Sequence, residues 1–96
     1  MKELADLRQR IIGVLEMVQQ LGGHANEQIR EDTIPLRDLQ GFDSLTGVET
    51  TSLLAEQLGC EISTVGKGQN LFVSEDGRRM LAVVEIAERL RSVIIH

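Results

Sequence analysis

Apolar residues return every three or four positions from the start of the chain: Leu4, Leu7, Ile11, Val14 or Leu15, Val18 and Leu21. That step keeps side chains on one side of an α-helix. Ile12 widens the stripe, while Arg8, Arg10, Glu16, Gln19 and Gln20 fill the solvated side. The pattern predicts a first helix from about Lys2 to Leu21, with Gly22-Gly23 as its stop. A second stripe, Leu45, Val48, Leu54 and Leu58, predicts a helix from Ser44 to about Leu58, capped by Asp43 or Ser44 and ended at Gly59. Thr50, Thr51 and Ser52 thin that stripe at its centre, and Leu45, at its start, either buries inward or forms a hydrophobic contact for a partner. The last stripe, Val83, Val84, Ala87, Leu90 and Ile94, predicts a helix over about Met80 to Ile94, with Glu85, Glu88, Arg89 and Arg91 outside.

Between the first two helices, residues 23–43 keep no period and hold the only proline, Pro35. A connection this long is unusual inside a compact domain. Ile34, Leu36, Leu39 and Phe42 are expected to pin it to the core, and Leu36-Arg37-Asp38-Leu39 to form a short helical turn. From Cys60 to Arg79 the pattern is weaker. Leu71-Phe72-Val73 reads as an apolar anchor between Gly66-Lys67-Gly68-Gln69-Asn70 and the turn composition of Ser74-Glu75-Asp76-Gly77, as a brief hairpin or an irregular loop. The expectation is all-α: a small three- to four-helix bundle with one long loop, forming a single domain over residues 1–96.

Composition narrows the function classes. Net charge is −5, with fifteen acids against ten bases, and the aromatics are Phe42 and Phe72 alone. Nucleic-acid partners are thereby excluded, since neither a cationic surface nor a stacking platform is present. Basic protein surfaces are the natural counterpart. One cysteine, Cys60, fits a reducing compartment and reads as a small buried residue. No apolar run reaches membrane-spanning length, and the first residues lack a signal core. These readings point to a soluble cytoplasmic chain. Two histidines, His24 and His96, and one cysteine offer no zinc-ligand spacing. Gly66-Lys67-Gly68 lacks phosphate-loop spacing.

The chemistry concentrates in Gly41-Phe42-Asp43-Ser44-Leu45, followed by Thr46-Gly47-Val48-Glu49. A serine at a helix start is most simply a cap. Capping requires one short polar side chain and does not require Gly-Phe before Asp-Ser. The block differs from the Gly-Asp-Ser-Leu of serine esterases, because Phe42 interrupts it and no histidine stands in an Asp-x-x-His context.

The stretch resembles the attachment motif of acyl carrier proteins, and the order of helices agrees along most of the chain. The resemblance implies that Ser44 carries covalent 4'-phosphopantetheine taken from coenzyme A, flanked by Asp43 and Leu45. It implies a carrier of acyl thioesters, in a fatty acid, polyketide or related lipid pathway, that catalyses nothing itself. The implied partners are a phosphopantetheinyl transferase and acyl-loading and acyl-processing enzymes, met by a monomer through Glu49, Glu56 and Glu61. Departures from the family are visible too. Thr46 and Ala55 stand where many relatives have acids, and Thr50, Thr51 and Ser52 stand where apolar residues often line an acyl pocket. Two other readings stay open: an aminoacyl or peptidyl carrier, and a helical interaction module without a prosthetic group.

Overall fold

The computed structural model describes residues 4–24, 27–59, 61–62, 70–74 and 76–95. In chain order the elements are α1 (Leu4–Leu21), α2 (Pro35–Asp38), α3 (Ser44–Leu58), β1 (Glu61–Ile62), α4 (Val83–Val93) and β2 (Ile94–Ile95). The architecture is the expected helical bundle. A minimal ribbon is added to it, in which β1 and β2 pair antiparallel with Glu61 opposite Ile95.

The three long helices bury one shared core, with α1 packing on both α4 and α3. Leu7, Ile11, Val14 and Leu15 supply α1's share, Leu54 that of α3, and Val83, Ile86, Ala87 and Leu90 that of α4. Two details of the α1 stripe differ from expectation. Leu21, at its end, is 82% exposed, whereas Gln19, expected in solvent, is only 4% exposed. Gln19 goes inside because its amide is satisfied there: Nε2 donates to Glu27 Oε1 and to the Gln40 carbonyl at 2.8 Å. Glu27 Oε2 in turn accepts from the Gln40 amide. A buried polar group with partners costs little, and this one ties the end of α1 to both ends of the long loop.

That loop is held by hydrogen bonds at several points. The short helical turn forms one residue earlier than Leu36-Arg37-Asp38-Leu39 suggests, over Pro35–Asp38, because Pro35 at the first turn has the fixed φ that a helix start accepts. Thr33, buried, accepts from the Arg30 amide through its hydroxyl. The loop also caps α4. The amides of Val83 and Val84 donate to the carbonyls of Thr33 and Glu31, each at 2.9 Å, while Glu85 reaches back to the Ala82 amide at 3.0 Å. Amides at a helix head need such partners.

These bonds explain why α4 begins at Val83 and not at Met80. Met80 is bridged to Val73, and the Leu81 amide donates to the Phe72 carbonyl at 2.9 Å, so residues 72–73 and 80–81 run back against each other as in a hairpin. At the other end Ile94 leaves the helix for β2. Ile86 joins Val83 on the buried side of the first turns, while Val84 is only half-buried. Arg89, expected outside, turns inward over the hairpin, Nη1 donating to the carbonyls of Asn70 at 2.6 Å and Val73 at 3.0 Å. The expectations for Cys60 and for Gly66-Lys67-Gly68 fall outside the described residues.

Candidate functional site

The head of α3 is fixed from three sides. Gly41 takes φ +76°, a conformation that favours glycine, and a Cβ there would press on the His24 ring at 3.2 Å. Phe42, next, is buried edge-on against Phe72, with ring centroids 5.1 Å apart. Asp43 then stands in extended conformation as the N-cap. Its Oδ1 accepts from the Thr46 amide at 2.9 Å and from the Thr46 hydroxyl at 3.0 Å. Those bonds, the amide's first, hold its carboxyl below the ordinary aspartate value.

Capping thus falls to Asp43 and not to Ser44. Ser44 is the first helical residue and is exposed, and its hydroxyl has no hydrogen-bond partner among the described residues. Only its backbone carbonyl is engaged, by Asn70 Nδ2 at 3.2 Å.

Leu45, counted in the inward stripe, is instead 68% exposed. Helix geometry gives the reason. The buried face of α3 runs through Gly47, Thr50, Thr51 and Leu54, and Leu45 lies off that face. Positions 45, 49, 52 and 56 recur at four, three and four residues, which places them on one side of the helix. Leu45, Glu49, Ser52 and Glu56 are all exposed. Ser52 therefore leaves the interior, where only two of the three small polar residues remain. The outer face begins beside Ser44 with an apolar side chain and continues with two acids, and α3 carries no basic residue. Of Glu61 the structure describes the backbone, in β1, just past the end of α3.

The inner face of α3 carries a feature that periodicity did not reveal. Thr50 and Thr51 are almost wholly buried, and their hydroxyls donate to the carbonyls one turn back, Thr46 at 2.7 Å and Gly47 at 2.8 Å. Thr51 Oγ1 also accepts from the Leu71 amide at 3.1 Å. Asn70, read from sequence as loop, lies against Gly47: a Cβ there would stand 2.5 Å from Nδ2 and 2.7 Å from Oδ1. Asn70 Oδ1 accepts from the Phe72 amide at 2.9 Å. A glycine inside a helix is the one sequence signal of such a close approach; nothing in the pattern names Asn70 as the neighbour.

Among the described residues no cluster of histidine, cysteine and carboxylate side chains could hold a metal ion, and no helix is long and apolar enough to cross a membrane.

A small helical bundle that sets an exposed serine hydroxyl at a helix head, beside an acidic helix face, has the build of a carrier protein. Residues 13–65 match the phosphopantetheine attachment site family, and since the match spans more than half of the chain, the protein belongs to that family. It is a phosphopantetheine-carrying protein, and its prosthetic group is covalently held 4'-phosphopantetheine. The matched residues include Asp43, Ser44, Leu45, Glu49, Glu56 and Glu61. No curated protein and no solved structure matches the chain.

Proposed function

We propose that Ser44 bears the 4'-phosphopantetheine arm and that the chain is an acyl carrier protein, presenting acyl thioesters to biosynthetic enzymes of a lipid or polyketide type. The observation that supports this most is the split between capping and serine: Asp43 occupies the cap, and the Ser44 hydroxyl is exposed at the head of a fifteen-residue helix, with no partner among the described residues. A helix head favours a phosphodiester anion, through its dipole and its amides. The hydroxyl fits the group on these grounds. When bound, the group supplies a thiol on a flexible tether, which holds cargo as an activated thioester.

The remaining residues act around that anchor. Asp43 stays ionised, and its exposed carboxylate, held by Thr46, is the group a transferase or its metal ion meets. It is a contact for modification, not a stabiliser of the phosphate, whose charge it shares. Leu45 offers an exposed apolar contact immediately beside the arm. Glu49, Glu56 and Glu61 orient basic partner surfaces by charge, which suits docking that must be fast and reversible. Tethering raises the local concentration of cargo at each docked enzyme. In this reading residues 1–96 form one monomeric carrier domain, at work in the cytoplasm and catalysing no step itself.

The test is intact mass after incubation with coenzyme A and a phosphopantetheinyl transferase. The wild-type chain should gain one phosphopantetheinyl group, while Ser44→Ala, folded, should gain none. An unmodified wild-type chain, or an arm on Ser44→Ala, would refute the assignment.

A further inference from the structure

We infer that the cargo of this carrier stays outside the bundle, so that its substrates are short or polar acyl groups, not long alkyl chains stored in the core. The inference rests on Ser44 bearing the arm. A tail folding back from Ser44 meets first the seam between α3 and residues 70–73, and that seam is closed by polar bonds. Asn70 spans it, donating to the Ser44 carbonyl and accepting from the Phe72 amide, with its side chain wedged against Gly47. One turn further in, Thr51 accepts from the Leu71 amide while donating to Gly47. Arg89 closes the far side through the carbonyls of Asn70 and Val73.

A methylene chain can replace none of these partners. Parting the seam would leave the buried amides of Leu71 and Phe72 without acceptors, and burial of unpaired polar groups opposes entry. Behind the seam, Leu54, Leu71, Phe72, Ile86 and Leu90 are at most 1% exposed, so a tail would have to displace core side chains. The groove beside α1, lined by Gly13, Met17 and Gln57 among others, offers no substitute. Gln57 lies thirteen residues beyond Ser44, about 20 Å along the helix, and the groove is open to water, with Asp6, Gln9 and Arg10 on its walls. Among the described residues a long alkyl tail finds no apolar shelter and stays in solvent beside Leu45, an arrangement tolerable only for groups that water accepts.

The test loads the full chain from acetyl-, octanoyl- and dodecanoyl-coenzyme A with a transferase, then records intact mass, melting temperature and backbone amide spectra. If no mass is gained, the attachment to Ser44 fails and this inference falls with it. With mass gained, the expected result is a melting temperature that does not rise with chain length and unchanged amide signals for Leu71 and Phe72. A melting temperature that climbs from acetyl to dodecanoyl, or shifts at those two amides that grow with chain length, would overturn it. Opening the seam with Thr51→Val and Asn70→Ala together should create the chain-length dependence that the wild type lacks; if that variant does not fold, the wild-type series decides alone.

Discussion

Replacing Gly47 by alanine should destabilise this protein, against the ordinary preference of helices. In an unconstrained helix interior the change would stabilise by about 1 kcal/mol, because alanine restricts the unfolded chain and favours helix. Here the added methyl would stand 2.5 Å from Asn70 Nδ2, 2.7 Å from Oδ1 and 2.9 Å from Cγ. Asparagine is too short to swing clear while keeping its bonds, so the side chain must leave the seam. Its departure strands the buried Phe72 amide, which costs about 1–3 kcal/mol, and removes the bond to the Ser44 carbonyl, worth about 1 kcal/mol. Set against the propensity gain, the net loss is about 1–3 kcal/mol. The double-mutant cycle makes the reasoning exposed to refutation. Asn70→Ala removes all three clashing atoms, so in that background Gly47→Ala should stabilise by about 1 kcal/mol. Urea unfolding followed by far-ultraviolet circular dichroism measures all four proteins. A Gly47→Ala that is neutral or stabilising in the wild-type background, or the same sign in both backgrounds, would show that the Asn70 contact does not govern this site.

Other outcomes follow from the same geometry. Ser44→Ala should melt close to wild type while Asp43→Ala melts clearly lower, because Asp43 holds the cap; the reverse order in a thermal scan would return the serine to a capping role. Leu54→Ala, at a fully buried position, should lose about 2–5 kcal/mol by denaturant titration, and a loss well below that would mean the core relaxes around the gap. Glu49→Lys should weaken turnover by a partner enzyme more at low salt than at high salt; equal loss at both would exclude docking by charge. Acid should destabilise the fold through Glu27, whose carboxyl lies below its ordinary 4.5 mainly because the Gln40 amide donates to it, with partial burial opposing and with Gln19 and His24 adding to the lowering. A depressed folded value means this stabilisation is complete above the unfolded value and is lost as pH falls from about 4.5 through the folded one. Glu27→Gln should then show a shallower decline of melting temperature across that window, and an unchanged slope would dismiss the contribution.

Read from residues alone, the chain shows its three long helices, the glycine at the end of α3, a short turn expected at Leu36–Leu39 and found one residue earlier, and the serine at a helix head. Each is written in local terms: apolar steps of three and four, a cap residue and a glycine. The acidic side of α3 was legible for the same reason, since Glu49 and Glu56 lie two turns apart. Local terms could not decide between Asp43 and Ser44 as the cap, because both are good caps and only the formed helix shows which side chain meets the Thr46 amide. Nor could they place Gln19 and Arg89 inside and Leu45 outside. A stripe shows which side chains share a face, but how far each is covered depends on what packs there, and the covering comes from Glu27, Gln40 and residues 70–73, far away in the chain. The junction of Gly47, Thr51, Asn70 and Arg89 was decided by tertiary structure alone, because hydrogen bonds between segments nineteen or more residues apart leave no period in the sequence.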